Sequence, residues 1–275
     1  MNFEDFIKTQ KIEVKEIKYQ IKKTKEKEDA VIIYLDNSEK ITISVDNFFK
    51  YSLNNLKGLD DNLYEILKNE ENIFLAYKGA LRKLSIKDHT IRQISDYLNK
   101  YELEDNEKKE IINKLVNYGL LDDEKYCVNR INYLNRNLYS LMQIKSKLIK
   151  EGISNDLINK YLIPDNDIEQ EKVKQLVNKY VKTIKNKSVN ATKQTILSKL
   201  TTLGFTYDIC RDVINSINIC NDNEIILLKK EYEKAIKKYE NKYKDYELKN
   251  HIYSYLLNKG FKSTNIKEVM EEQNG

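Results

Sequence analysis

The sequence has 275 residues, of which 33% are charged and 40% are apolar, with only one proline and seven glycines. Apolar residues run throughout, which excludes a disordered chain, and no apolar run approaches the roughly 20 residues of a membrane span. The scarcity of proline and glycine predicts long helices. The first ten residues, MNFEDFIKTQ, lack the pattern of a signal peptide, so we expect a cytoplasmic protein.

Apolar residues alternate in the first 45 residues, which is typical of strands that bury one face. The stretches 31–35 and 41–45 each place three aliphatic residues on one side, and the polar residues 36–39 between them predict a hairpin turn. A further alternating stretch over 12–21, with a slip at Lys15-Glu16, predicts a third, bulged strand.

The remainder of this N-terminal region is predicted to connect and cover the sheet. The stretch KKTKEKED at 22–29 is expected to be a mobile loop. A three-stranded sheet needs a cover to be stable, and two short helices, from Asp46 to Leu53 and from Asp60 to Lys68, are expected to supply it.

One pattern recurs four times after residue 69, at intervals of about 50 residues: an isoleucine, three residues, a leucine, three residues, a glycine, and then an apolar residue. The copies are Ile94, Leu98, Glu102, Leu103, in which the glycine is lost; Ile144, Leu148, Gly152, Ile153; Ile196, Leu200, Gly204, Phe205; and Ile252, Leu256, Gly260, Phe261. A single irregular bundle with chance similarity is the alternative, and four copies in register argue against it.

Each copy is interpreted as three helices. The first is amphipathic, the second carries the isoleucine and leucine and ends at the glycine, and the third carries an apolar pair eight and nine residues further on. Thr90 with Gln93, and Ser140 with Gln143, have the spacing of a capping box at the start of the second helix. The apolar pairs are Ile111 and Ile112, Tyr161 and Leu162, Val213 and Ile214, and Val269 and Met270.

The predicted fold is therefore mainly α: an elongated array of four three-helix repeats with a small N-terminal β-hairpin or three-stranded sheet region. The predicted domains are a small β-containing domain at 1–68 and repeats at 69–118, 119–165, 166–220 and 221–275.

Positive charge is concentrated in the middle of the chain. From Lys172 to Tyr207 there are eight lysines and no acid, although the formal net charge of the whole chain is only +5. Lys172, Lys179 and Lys182 are predicted to project opposite the apolar face of their helix. A solvated lysine face is the alternative reading, but acids would then normally be interspersed. The residues predicted to contact a partner are Lys145, Lys147, Lys150, Lys172, Lys179, Lys182, Lys185 and Lys187.

Candidates for chemistry are few. His89 and His251 lack neighbours at metal-ligand spacing, and no glycine loop could cradle a phosphate. Asp122 and Asp123 are interpreted as a helix cap after Gly119 rather than an acid-base pair. The three cysteines, Cys127, Cys210 and Cys220, show neither a disulfide framework nor paired-thiol spacing, so we expect them to be reduced and buried. No catalytic residue, metal or cofactor is predicted, and the chain is not expected to be an enzyme.

The ordered motifs resemble the RecX family of bacterial recombination regulators, in its long form with an N-terminal extension. The resemblance is carried by Ala80-Leu81 and Leu84 before Thr90, and by GLLDDEKYC at 119–127, LIKEGI at 148–153, LTTLGF at 200–205 and LLNKGF at 256–261. Where that family commonly has Arg, any residue, Arg, Ser, this chain has Lys87, Asp88, His89 and Thr90.

The resemblance implies a non-enzymatic protein that binds the RecA filament on single-stranded DNA, along its groove, and inhibits or disassembles it. It also implies a place in homologous recombination, DNA repair and the SOS response. We expect a monomer without a membrane partner, and a contact with single-stranded DNA is a second expected interaction. A stand-alone basic helical-repeat module that binds nucleic acid remains the alternative, and a peptide-binding helical scaffold is a third.

Overall fold

The computed structural model describes residues 16–219 and 223–272. It is mainly α-helical, with a small antiparallel sheet at the N-terminal end, as predicted. The strands are β1 (Tyr19–Glu26), β2 (Ala30–Leu35), β3 (Lys40–Ser44) and β4 (Gly58–Leu59). The helices are α1 (Val45–Lys50), α2 (Asp61–Ile86), α3 (Ile91–Leu98), α4 (Asp105–Asn117), α5 (Asp123–Arg136), α6 (Leu141–Glu151), α7 (Asn155–Tyr161), α8 (Asn166–Thr183), α9 (Val189–Thr202), α10 (Tyr207–Ser216), α11 (Glu224–Tyr239), α12 (Asp245–Asn258) and α13 (Ser263–Glu272).

Within the described residues the sheet has four strands in the order β3-β2-β1-β4, rather than the predicted three. The predicted hairpin is formed by β2 and β3, with Val31 opposite Ile43 and Ile33 opposite Ile41. The fourth strand is only two residues long and pairs with Tyr19 and Gln20. A pattern of alternating residues needs several positions to be visible, so two residues carry no such signal.

Two details of strand β1 correct the prediction. The stretch 22–29 is not a loop throughout, because Lys23 to Glu26 pair with β2. The bulge lies between Ile21 and Lys23, whereas the predicted slip at Lys15-Glu16 and the strand residues before it fall largely outside the described residues. This half of β1 is an edge, and exposed lysines are tolerated there since they disfavour pairing with another strand.

The sheet is covered by helices, as expected, but the second covering helix is longer than predicted. Val31, Ile33, Ile41 and Ile43 are buried in one core with residues of α1 and α2. Helix α2 is a single helix of 26 residues capped by Asp60, so the prediction of a short helix ending at Lys68 is wrong. Its first half buries Leu63 and Leu67 against the sheet, whereas Ala76 and Ala80 belong to the core of the first repeat.

The remaining helices follow the predicted order of first, second and third helix in each of four repeats. Each apolar pair predicted for the third helices lies on or directly after α4, α7, α10 or α13. The capping boxes of Thr90 with Gln93 and of Ser140 with Gln143 are both formed. Gly152, Gly204 and Gly260 have φ angles of 93°, 84° and 84°, so each ends its helix in the left-handed conformation.

The chain forms two compact units. Of the described residues, the first unit contains those up to Tyr126 together with Glu151–Ile153, and the second contains Cys127–Lys150 and those from Ser154 onward. The four repeat boundaries at 69, 119, 166 and 221 stay predictions. Within 16–219 and 223–272, no helix is long and apolar enough to cross a membrane.

Candidate interaction surface

The lysines predicted to contact a partner lie on α6, on α8 and on the segment that joins α8 to α9, all within the second unit. Helix α8 begins after Asp165, whose carboxylate accepts hydrogen bonds from the amides of Asp167 and Ile168 at 2.9 and 3.1 Å. Val173, Leu176 and Val177 are buried along one face, which confirms the predicted amphipathic pattern. The opposite face is left for polar residues.

Lys179 and Lys182 are exposed on that polar face, and Lys185 and Lys187 are exposed on the following segment. Lys187 is held by a hydrogen bond that its Nζ donates to Thr195 Oγ1 at 2.9 Å. Lys174, which the sequence did not single out for contact, is exposed on α8 as well. Helix α8 and this segment therefore present several cations to solvent in one stretch of chain.

Lys172 contradicts the prediction, because it is buried and not a surface cation. It is only 4% exposed, and its Nζ donates to Glu169 Oε1 at 2.6 Å and to the backbone oxygen of Tyr139 at 2.9 Å. The segment between α5 and α6, which contains Tyr139, covers this part of α8. The available signal was Glu169, an acid three residues before Lys172 in a position that the apolar pattern of α8 would otherwise fill.

The three predicted lysines of α6 differ among themselves. Lys145 and Lys150 are exposed, whereas Lys147 is half-buried with its Nζ 4.9 Å from the centre of the Tyr139 ring. Lys199 on α9 lies in the same way 5.1 Å from the ring of Tyr180. Such cation–π contacts fix the position of a charge and keep it accessible. The tyrosines were missed in the sequence because nothing local links them to these lysines.

A depression of about 380 Å³ lies beside the segment that joins α8 to α9. Its lining includes Lys185 and Lys187 together with apolar groups of Ile184, Val189 and Leu227. Asn186 between the two lysines has a φ angle of 58°, a conformation that asparagine tolerates better than most residues. The combination of two cations and an apolar floor suits an acidic segment that also carries an apolar side chain.

A smaller depression of about 240 Å³ in the first unit has the opposite character. Asp46, Glu70, Glu107 and Glu110 line it, with Lys114 as a counter-charge. Glu70 is already bonded within the unit, since it accepts hydrogen bonds from Asn47 Nδ2 and Tyr51 Oη at 2.7 Å each. Part of the negative charge that lines this depression therefore takes part in hydrogen bonds that stabilise the fold of the first unit.

The aspartates and histidines considered as catalytic or metal-binding candidates make contacts that belong to the fold. Asp122 caps α5 by accepting a hydrogen bond from the amide of Lys125 at 2.9 Å, which confirms the predicted cap. His89 is half-buried, and burial is the main cause that lowers its pKa. His251 is exposed and stacks on Tyr243 with ring centres 3.7 Å apart. No cluster of three metal-ligating side chains occurs in the part of the chain that the structure describes.

Two of the three cysteines can be placed. Cys127 and Cys210 are buried, as predicted, whereas Cys220 lies outside the described residues. Burial, with a smaller contribution from the charge of Glu169, raises the pKa of Cys210 to about 11. A thiol with such a pKa stays protonated near neutral pH and is a poor nucleophile. Cys210 is therefore a packing residue.

The chain is similar to a known protein family both in sequence and in fold. A family model for the third three-helix domain of RecX matches residues 222–270, the last of the four repeats. A crystal structure of regulatory protein RecX superimposes with a TM-score of 0.54 and 21% identity, over 71% of this chain and 100% of the other, and shows a shared fold.

Curated relatives extend the match to nearly the whole sequence. The Regulatory protein RecX of Streptococcus pyogenes serotype M4 (strain MGAS10750) is 32% identical over 253 residues, which cover 90% of this chain and 96% of the relative. The protein of the same name from Streptococcus equi subsp. zooepidemicus (strain MGCS10565) is 26% identical over 252 residues, with the same coverage. Since identity at this level extends over both chains almost end to end, this chain belongs to the RecX family.

Proposed function

We propose that the chain is a non-enzymatic cytoplasmic regulator that binds the RecA filament on single-stranded DNA and lowers its recombinase and ATPase activity. The observation that carries the proposal is the match to proteins named Regulatory protein RecX over 90% of the chain. Regulation of RecA is what the resemblance to that family implies, and the exposed lysines of the second unit support the proposal.

The proposed contact surface consists of the exposed lysines of the second unit: Lys145, Lys150, Lys179, Lys182, Lys185 and Lys187. Lys147 is retained as an accessible cation held against Tyr139, and Lys172 is removed because it is buried. Exposed lysines can meet acidic protein surface or DNA phosphates, and individually weak contacts on a repeated structure add up to avidity. A filament offers repeated copies of one surface, which suits such a binder.

The test is a titration of the purified chain against RecA filaments on single-stranded DNA, with ATP hydrolysis and co-sedimentation as readouts. The wild-type chain is expected to bind and to slow hydrolysis. Unchanged hydrolysis and no co-sedimentation at micromolar excess would contradict the proposal.

A lysine variant tests the surface. Replacing Lys145, Lys150, Lys179 and Lys182 by serine is expected to weaken filament binding about tenfold or more, because charge contacts to a polyanion or an acidic surface are lost. Helicity should be unchanged, as measured by circular dichroism. The matched control replaces Lys25, Lys27, Lys57 and Lys109, exposed lysines of the first unit, and alters net charge equally. Equal loss in both variants would mean that net charge, rather than this surface, governs binding.

A stand-alone nucleic-acid-binding module is a second candidate, favoured by the absence of acids between Lys172 and Tyr207. Its affinity for single-stranded DNA without RecA is expected to fall steeply as salt rises, because phosphate contacts release counterions. Fluorescence anisotropy at several salt concentrations measures this dependence. Weak binding that salt does not change would count against this candidate.

A further inference from the structure

The starts of three second helices share one arrangement. Thr90, Ser140 and Ser188 precede α3, α6 and α9, and they are 0%, 0% and 1% exposed. Each hydroxyl oxygen accepts a hydrogen bond of 3.2 Å from an amide of its own helix, that of Gln93, Gln143 or Ala191. This is ordinary helix capping.

The same three hydroxyls also donate a hydrogen bond to the following repeat. Thr90 Oγ1 lies 2.7 Å from the backbone oxygen of Glu151, Ser140 Oγ lies 2.6 Å from that of Leu203, and Ser188 Oγ lies 2.8 Å from that of Lys259. Each acceptor directly precedes the glycine that ends the second helix of the next repeat. Because carbonyls at a helix end lack partners within the helix, the hydroxyl satisfies a group that would otherwise be left unpaired.

An acid of the following repeat completes each contact. The first amide of α3, that of Ile91, donates to Asp123 at 2.8 Å. The first amide of α6, that of Leu141, donates to Glu169 at 3.3 Å, and that of α9, Val189, donates to Glu224 at 2.9 Å. All three acids lie in the first turn of the first helix of the next repeat. A carboxylate at a helix N-terminus is stabilised by the free amides and the helix dipole.

Two of the three glycines lie against the capping hydroxyl, whereas a Cβ on Gly152 would meet the side chain of Arg92. A Cβ built on Gly204 would lie 3.1 Å from Ser140 Oγ and from the Met142 side chain, and one on Gly260 would lie 2.8 Å from Ser188 Oγ. Gly119 also ends a helix with positive φ, yet a Cβ there would meet nothing within 4 Å. The glycines of the repeat pattern are therefore needed for space as well as for backbone conformation.

The choice of capping residue fits a double role. Asp60, Asp165 and Asp122 cap first helices, whereas the three second helices that contact a following repeat are capped by serine or threonine. Aspartate caps a helix as well as serine does, but an ionised carboxylate has no hydrogen to donate. Only a hydroxyl can accept from its own helix and donate to the next repeat.

The first repeat has no glycine after its second helix. Glu102 takes its place, without a positive φ angle. Its backbone oxygen accepts a hydrogen bond of 2.5 Å from Asn72 of α2, a residue of the same repeat. The described residues before α2 form a sheet with its covering helix rather than a repeat, so within residues 16–60 there is no preceding second helix whose capping hydroxyl could make this contact.

We infer that these three contacts, each made of a shared hydroxyl, a carboxylate and a glycine, are junctions that couple the stability of adjacent repeats. Loss of the capping hydroxyl in one repeat releases the helix end of the next, about 60 to 70 residues further along the chain. The inference concerns folding within the chain and does not depend on the proposed binding to RecA.

The test is native-state amide hydrogen exchange on the full chain, with Ser140→Ala compared with Ser154→Ala. Ser154 also caps a helix, by accepting from the amide of Leu157 at 3.3 Å, but it is exposed. In Ser140→Ala, the amides of Gly204 and Phe205 are expected to exchange on the order of tenfold faster, because the backbone oxygen of Leu203 loses its donor. In Ser154→Ala these amides should keep their wild-type rates.

Two further variants distinguish loss of the contact between repeats from a general loss of folding. Ser140→Thr keeps the hydroxyl and is expected to retain slow exchange at Gly204 and Phe205. Gly204→Ala is expected to speed exchange in the first turn of α6, at Gln143 and Ile144, whereas Gly119→Ala should affect only its own turn. Faster exchange confined to the mutated helix in both Ser140→Ala and Gly204→Ala would overturn the inference.

Discussion

Lys172 and Lys179 lie about two turns apart on helix α8, and the sequence assigns them the same role. The structure separates them: Lys172 is 4% exposed and bonded to Glu169, whereas Lys179 is open to solvent. The difference arises from what covers the helix, because the segment containing Tyr139 lies against Lys172 and accepts its hydrogen bond. The tertiary neighbours of a lysine therefore decide whether it stabilises the fold, as Lys172 does, or stays available to a partner, as Lys179 does.

The largest effect is expected from Lys172. Replacement by alanine leaves the carboxylate of Glu169 buried without its cation and should lower the free energy of unfolding by about 3 kcal/mol. Urea denaturation followed by circular dichroism measures the change. Lys174→Ala, at an exposed position of the same helix, is the control and should change stability by less than about 0.5 kcal/mol. Similar values for the two variants would contradict the structural role of Lys172.

A second prediction concerns Cys210, whose pKa Glu169 helps to raise. The folded-state pKa of about 11 lies above the ordinary value of 9.0, so at pH 9 the thiolate fraction should be about 50-fold below that of a free thiol. Alkylation with iodoacetamide, localised by mass spectrometry, should accordingly be slow in the folded chain and fast in guanidinium.

The same shift has a consequence for stability with a defined sign. Because the folded state favours the protonated thiol, its contribution is present below pH 9 and is lost as pH rises towards about 11. Glu169→Gln removes the smaller of the two causes and should lower the pKa of Cys210, while burial keeps it above the ordinary value. If the pH dependence of alkylation were unchanged in this variant, the charge of Glu169 would not contribute to the raised pKa of Cys210.

The smallest effect on stability is expected on the exposed half of α8. Lys179→Ser and Lys182→Ser should each change the free energy of unfolding by no more than about 0.5 kcal/mol, since exposed side chains without fixed partners contribute little. Lys182 lies in the last turn, where a cation favours the helix dipole, so its variant should be the less stable of the two. A loss as large as that in Lys172→Ala would remove the distinction between the two halves.

Much of the helical architecture could be predicted because its signals are local. The isoleucine and leucine spaced four residues apart, the glycine that follows, and the capping boxes at Thr90 and Ser140 all depend on neighbouring residues in one helix. The apolar face of α8 and the buried Cys127 and Cys210 followed from the same kind of pattern. Each of these predictions is confirmed.

The incorrect predictions have a common cause. Lys23 to Glu26 form part of β1 although they are almost all charged, because pairing with β2 supplies the backbone hydrogen bonds that the side chains do not indicate. Helix α2 continues past Lys68, in spite of Asn69 and Gly79 in its sequence, because its two halves pack in different cores. In each case a long-range partner decided the outcome.

The sequence by itself determined most of the repeat helices and the glycines that end three of them, because capping, helical periodicity and left-handed glycines act over a few residues. Only the tertiary structure decided which serines join one repeat to the next and which lysines remain available to a partner. The physical reason is that a hydroxyl or an ammonium group can bond equally to its own helix, to another repeat or to water. Burial by distant segments selects among these, and it did so for Ser140 and Lys172.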